Sequence, residues 1–377
     1  MIKSLCPVEM AKPTAAVVTL HRVHNYGSVL QTYATQRLLS DSGYDVRIID
    51  YWRPTEVDDF DTRLKHDFAR WDRNLLTRTV FRLLRKRALE EQRRRFRGFV
   101  KDHLQITERA YFTEEELEAA PPVADLYCVG SDQVWNSDYH VAGSDPFYLK
   151  FAPAGSRRVS FASSFGKPSV SAEESNYIRE NLSAFEAISV RERSGVEILD
   201  HHGIDAVQLV DPTLAVAPEV WNGLVDEPRE GSGYLLVYQL HRNHDLAPVV
   251  ERVAKERNLK PVYLRGYWSI RHINSRNLSN TSVGEFLGLF KNAAYVVTDS
   301  FHGTAFSLNF GRPFNAIYPP NYGERIKSVM ELTGTLGRAV TGESSYDTGD
   351  YDTEQVNAVL EKERQRASDF TDSLVRF

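Results

Sequence analysis

The stretch Val296 to Phe314, VVTDSFHGTAFSLNFGRPF, constrains the fold more than any other part of the chain. An apolar β-type run ends in Thr298, a polar turn follows in Asp299-Ser300-Phe301-His302-Gly303, and a helical run carrying Ala305, Phe306 and Leu308 closes at Gly311-Arg312-Pro313. That is a strand, a loop and a helix. In an open α/β sheet such a loop lies at the carboxyl end of its strand, where ligands bind, and the unshared N–H groups of the helix start favour an anion. Ser300, His302 and Thr304 are therefore expected to face the site of chemistry. The plainer alternative makes Asp299 and Thr304 helix caps and His302 a satisfied turn histidine.

The same unit recurs upstream. Ala15 to Leu20 is apolar and empties into His21-Arg22-Val23-His24-Asn25-Tyr26-Gly27-Ser28, after which Val29, Leu30, Tyr33, Ala34 and Leu38 keep helical spacing up to Ser42-Gly43. Gly27 lets a backbone approach a ligand closely. No GxGxxG is present, so the loop carries no dinucleotide fingerprint. Asp125 to Val129 runs into Gly130-Ser131-Asp132-Gln133-Val134-Trp135-Asn136, where Asp132 suits acceptance of a proton from a sugar hydroxyl and Trp135 suits stacking on a sugar face. A turn aspartate and a core tryptophan are the alternatives. Ala187 to Val190 presents Arg191 and Arg193 just ahead of a helix, against the dipole unless an anion sits between them. Arg191 is thus a candidate clamp for carboxylate or phosphate, or else the partner of Glu192 or Asp211.

With 377 residues the chain exceeds what one core usually organises. A Pro, Gly and acid-rich stretch from Ala217 to Gly233 is read as the boundary. This gives a first domain over 1–216 with a basic helical insertion at about 60–107, a second over 217–351, and a terminal helix over 352–377. In the second half Arg265 ends a strand, Tyr234 to Gln239 and Phe314 to Ile317 are further strands, and Ser282 with Glu285 forms a capping box. The helix over 78–101 is crowded with arginine and lysine, which suits either an anionic membrane surface or a solvated basic face. The balance of 46 basic against 51 acidic residues, net -5, offers no general pull toward nucleic acid. Two cysteines, Cys6 and Cys128, and no apolar leader lead to the expectation of a soluble, cytoplasmic protein without structural zinc.

Taken in order, NYGSVLQTYA, GSDQVWN, RRVSFASSFG, ISVRERSGVEIL, LVDPTLA and VVTDSFHGTAFSLNFGRPF resemble the polysaccharide pyruvyl transferase family, in patches from Ala15 to Ile317. The resemblance implies an α/β fold of two Rossmann-like domains facing across a cleft, like type B glycosyltransferases. It also implies transfer of the pyruvyl group of phosphoenolpyruvate to two hydroxyls of a sugar, forming a cyclic ketal and releasing phosphate, in surface polysaccharide biosynthesis. The donor site would then fall on Arg191, Ser300, Phe301 and His302. Some members carry an arginine shortly before the histidine where this chain has Ser300 and Phe301, so Arg191, Arg193 or Arg265 would supply that charge. His302 would protonate the methylene carbon, its pKa raised by the donor's anions, and Asp132 would be the base, since Ser28 stands where some members have an acid. Asn25, Tyr26, Gly27, Trp135 and Asn136 would line the acceptor side. No metal and no cofactor beyond the donor is implied, and the acceptor includes lipid-linked oligosaccharides among its candidates. Two rivals stay open at this point: a nucleotide-sugar glycosyltransferase of the same fold, and a small-anion-binding protein without turnover.

Overall fold

The computed structural model describes residues 11–53, 56, 75–138, 145–241, 245–265, 276–278, 281–319, 323–341 and 346–375, without the side chains of 75–86, 88, 89, 265 and 277. Among them, the first half builds β1 (Thr14–Val18), α1 (Tyr26–Asp41), β2 (Asp45–Tyr51), α2 (Leu75–His103), β3 (Ile106–Tyr111), α3 (Glu114–Ala119), β4 (Leu126–Val129), β5 (Arg157–Ser163), α4 (Ala172–Leu182), β6 (Ala187–Val190), α5 (Arg193–Asp200) and β7 (Val207–Gln208). The strands pair in parallel in the order β3-β2-β1-β4-β5-β6-β7. Central strands such as LYCV of β4 are buried along their whole length, because helices cover both faces of a parallel sheet.

Two short helices, α6 (Pro212–Ala215) and α7 (Pro218–Asn222), lead into the second half. There β8 (Leu235–Gln239), α8 (Leu246–Glu256), β9 (Pro261–Arg265), β10 (Arg276–Leu278), α9 (Val283–Asn292), β11 (Tyr295–Thr298), α10 (Phe301–Asn309), β12 (Phe314–Ile317), α11 (Glu324–Leu332) and β13 (Ala339–Val340) form a second parallel sheet, ordered β10-β9-β8-β11-β12-β13. The architecture is thus α/β, with two parallel sheets of Rossmann-like connectivity. In each sheet the order reverses once, between β1 and β4 and between β8 and β11, and the crevice of an open sheet lies at such a reversal.

The chain then returns. Helix α12 (Thr353–Ser373) packs on α1 and α6, and Tyr44 OH and Arg157 Nη2 donate to the Leu374 carbonyl at 2.5 and 2.7 Å. The terminal helix is therefore docked on the first domain. One continuous core runs through both halves, joining Leu30, Phe161, Phe286, Phe306 and Leu360. Tyr26 stacks on Phe286 at 4.4 Å across the junction.

The expected basic insertion is only in part an insertion. Phe96, Phe99 and Val100 of α2 are buried in that core, and Ile106 opens the edge strand β3 of the first sheet. Arg95 pairs with Glu91 and, at 3.0 Å, with Glu285 of α9, while Arg87, Arg97 and Lys101 are exposed. Residues 57–74 and Cys6 lie outside the described residues.

Leu360 is fully buried in the shared core, so Leu360→Ala should leave a cavity costing about 2–5 kcal/mol. Urea unfolding measures it: a lower midpoint with unchanged slope is expected, and an unchanged midpoint would mean that α12 is not part of the core.

Candidate active site

The two crevices meet in one cavity of about 460 Å³. The loop after β1 contributes Leu20, Val23 and Asn25, and the loop after β4 contributes Asp132 and Gln133. The loop after β8 gives Leu240 and His241, and the end of β11 with the start of α10 gives Asp299, Ser300, Phe301 and His302. A cavity of this size between domains is suited to a small molecule.

Ser300 caps α10, its Oγ accepting the Gly303 N–H at 3.2 Å. Thr304 turns inward, its hydroxyl donating to the Ser300 carbonyl, and is absent from the cavity wall. Asp299 is not the cap. Its carboxylate accepts the backbone N–H groups of Leu240 at 2.6 Å and His241 at 2.9 Å, tying the two loops at the second reversal together. His302, one residue into the helix, reaches the first domain: a Cβ on Gly27 would stand 2.0 Å from its Nδ1. Gly27 therefore makes room for an imidazole of the other domain.

Behind the cavity wall lies a buried charge cluster. Arg191 donates to Asp211 Oδ2 at 2.5 Å and to Glu192 at 3.2 Å, and lies 3.7 Å from Asp132. Asp211 divides its work: Oδ1 accepts from Thr213 N and Oγ1 at the start of α6, while Oδ2 faces both Arg191 and, at 3.8 Å, His302 Nε2. Arg325, in the first turn of α11, comes within 3.9 Å of Asp132. The guanidiniums of Arg191 and Arg325 both lie over the Phe301 ring, at 4.6 and 5.8 Å. Asp132 holds a left-handed backbone conformation, φ 71°, that aims its carboxylate at this cluster, where Ser28 Oγ donates to it at 2.8 Å.

These contacts set the protonation states. Burial pushes the Asp132 carboxyl up, but Arg191, His302, Arg325 and the Ser28 hydroxyl outweigh it and bring it to about 2. For His302, burial lowers the pKa below its ordinary value, and Arg191 and Arg325 act the same way against Asp211 and Asp132. Its Nε2 is buried with no hydrogen-bond partner. Burial thus favours the neutral imidazole.

Asn25, Asp132, Ser300, Phe301 and His302 line the cavity, and Gly27 touches His302 from behind. Arg191 is buried behind Phe301, already bonded to Glu192 and Asp211, so it shapes the wall and is not itself a lining clamp. Asp132 lines the cavity with its carboxylate accepting from Ser28 and facing Arg191 and Arg325, surroundings that favour its charged form. Tyr26 is corrected as an acceptor contact: its hydroxyl donates to the Thr281 carbonyl and its ring packs between domains. Trp135 packs on Phe165 in the first domain's core with its Nε1 bonded to the Phe147 carbonyl, so it cannot stack on a sugar. Asn136 is fully buried beside Gln133. Arg193 is exposed and pairs with Glu197, away from the cavity. The Arg265 side chain lies outside the described residues.

Three residues escaped the sequence reading: Arg325, Asp211 in its bridging role, and His241. Arg325 sits in the first turn of α11, a guanidinium at a helix start much as Arg191 stands just ahead of α5. Among the described residues no group of three or more His, Cys, Asp or Glu side chains could hold a metal ion.

A family model described as polysaccharide pyruvyl transferase matches residues 25–321, most of the chain. No curated protein matches it in sequence. Among solved structures, the UDP-N-acetylglucosamine 2-epimerase of Rickettsia bellii is similar at 12% identity and a TM-score of 0.49, over 96% of this chain and 98% of that one. The ADP-heptose LPS heptosyltransferase II of E. coli is similar at 12% identity and a TM-score of 0.37, over 93% and 99%.

The two pKa directions predict an acid-side instability. His302 and Asp132 are both depressed in the fold, so each contributes stability that is present above its unfolded value and is lost as pH falls through its folded value. His302 acts first, below about 6.5, and Asp132 between about 4 and 2. Urea midpoints from pH 8 to 5 should fall for the wild type and fall less for His302→Gln; parallel curves would contradict a buried, neutral His302.

Proposed function

The chain belongs to the polysaccharide pyruvyl transferase family, a family of transferases of polysaccharide biosynthesis, and on that premise we propose that the cavity binds phosphoenolpyruvate and transfers its pyruvyl group to a sugar. The observation that carries this reading is that a buried histidine with an unpartnered Nε2 and an arginine face one cavity at the start of a helix, between two domains. Phosphoenolpyruvate brings a carboxylate and a phosphate. Arg325 and the N-terminal end of α10 offer cationic and N–H character to such groups, each charged hydrogen bond contributing about 1.5–3 kcal/mol. Arg191 acts from behind, fixing Asp132 and Asp211.

The donor's charge reverses the balance at His302. Burial keeps the imidazole neutral, and anions beside it raise its pKa, so donor binding draws a proton onto the ring. That proton passes to the methylene carbon, C2 becomes electrophilic, and a sugar hydroxyl adds there. The C2–O bond to phosphate then breaks, and a second hydroxyl of the same sugar closes the ketal. We place the reaction in the cytoplasm, with a lipid-linked sugar as one form of acceptor; no helix among the described residues is long and apolar enough to cross a membrane. Contact with an anionic bilayer through Arg87, Arg97 and Lys101 of α2 belongs to the same reading.

In a phosphate-release assay with phosphoenolpyruvate and sugar acceptors, His302→Gln should lower kcat by about 10²-fold or more with donor affinity nearly kept. Arg325→Ala should instead weaken donor binding by about tenfold to a hundredfold. Full turnover by His302→Gln would remove the histidine from the chemistry. Thermal stabilisation by nucleotide sugars but not by phosphoenolpyruvate would favour a glycosyltransferase.

A further inference from the structure

Arg325 reaches the cavity from α11, a helix of the second domain, yet the carboxylate it faces, Asp132, belongs to the first. Helix α11 is seated by Ile326, Val329 and Met330, all buried in the shared core. Apolar burial of this kind has no preferred direction. A hydrogen bond from the first domain supplies one, and it comes from Gln208.

Gln208 closes β7, the two-residue edge strand of the first sheet, and its side-chain amide donates to Ser328 Oγ of α11 at 3.1 Å and to the Arg191 carbonyl at 3.3 Å. An amide nitrogen carries two protons, so both bonds are made at once. Ser328 stands one turn along from Arg325, and the two side chains share a face of the helix. One amide thus joins the backbone of Arg191 to the helix of Arg325. Gln208 is held in turn from outside: its backbone carbonyl accepts Arg366 Nη2 of α12 at 2.9 Å, and Nη1 of that guanidinium donates to both oxygens of the buried Glu363 at 2.8 and 2.7 Å. An edge strand leaves one row of backbone groups unpaired, and α12 takes up one of them.

We propose that Gln208 is a positioning residue for donor binding, fixing α11 and with it Arg325 against the first domain's charge cluster, an inference that rests on the donor reading above. Gln208 is absent from the cavity wall, so its effect passes through Arg325. Arg191 Nη2 and Arg325 Nη1 lie 3.7 and 3.9 Å from the same oxygen, Asp132 Oδ1, and two like charges therefore share one carboxylate. Their repulsion favours moving α11 away. The amide bridge opposes that movement from the backbone side.

The test uses the full chain, with calorimetry of phosphoenolpyruvate binding and phosphate release to p-nitrophenyl glycosides as acceptor probes. Gln208→Met keeps the length of the side chain and removes the amide; it should weaken phosphoenolpyruvate binding about two- to tenfold, the range of an ordinary hydrogen bond, and raise the donor KM alike with kcat nearly unchanged. Ser328→Ala cuts the bridge from the other end and should act in the same direction, and the double variant should bind no more weakly than the weaker single. In an Arg325→Ala background Gln208→Met should change donor affinity by less than about twofold, an outcome that a general loosening of the fold would not give. Wild-type donor affinity in Gln208→Met, a loss confined to kcat, or an undiminished loss in the Arg325→Ala background would overturn the proposal and leave the donor reading standing. A wild type that binds no phosphoenolpyruvate overturns both. Should Gln208→Met fail to fold, Ser328→Ala carries the same test.

Discussion

Arg191 carries a charge that a protein interior cannot hold alone, and the loops around the cavity are arranged to answer it. Moving a guanidinium out of water costs several kcal/mol, which is recovered only where carboxylates with good geometry surround it. Here Glu192 comes from the start of α5, Asp211 from the start of α6 and Asp132 from the loop after β4. Three separate chain segments are thereby pinned to one point. Removing any one partner would strand the others, so the members of the cluster depend on one another. The same cluster reaches across the junction, since Asp211 and Asp132 both act on His302.

The second consequence concerns how closely the domains approach. His302 occupies the space a side chain at position 27 would need, and Tyr26, the residue before it, lies against Phe286. One turn of α1 thus makes both the functional and the structural contact between halves. Helix α12 reinforces it by docking back on α1. The geometry of the cavity is accordingly a property of the two-domain arrangement, with the buried side chains of each half depending on the other.

Much of this was legible in the chain. The switch from strand to helix periodicity located β11 and α10, and with them His302; the same logic located Asp132 and Asn25. What periodicity does not encode is sheet order. That the loops after β1, β4, β8 and β11 meet depends on β1 lying beside β4 and β8 beside β11, a long-range outcome. Aromatic residues in loops were equally opaque: Trp135 and Tyr26 read as ligand contacts because their spacing does not reveal what packs on them. Arg191 and Arg193 are two residues apart, yet one is sealed and the other faces water, because the chain turns into α5 between them. Arg325 was missed with its helix, and His241 because its partner Asp299 lies 58 residues away in the chain.

The central claim is that a buried imidazole, kept neutral by its surroundings, gains its proton from the arrival of an anionic donor. Calorimetry of phosphoenolpyruvate binding at pH 7.5 in buffers of different ionisation enthalpy measures that proton directly. The account predicts net proton uptake on binding that disappears in His302→Gln while binding itself persists. Uptake of the same size in that variant, or binding without any proton change in the wild type, would contradict it.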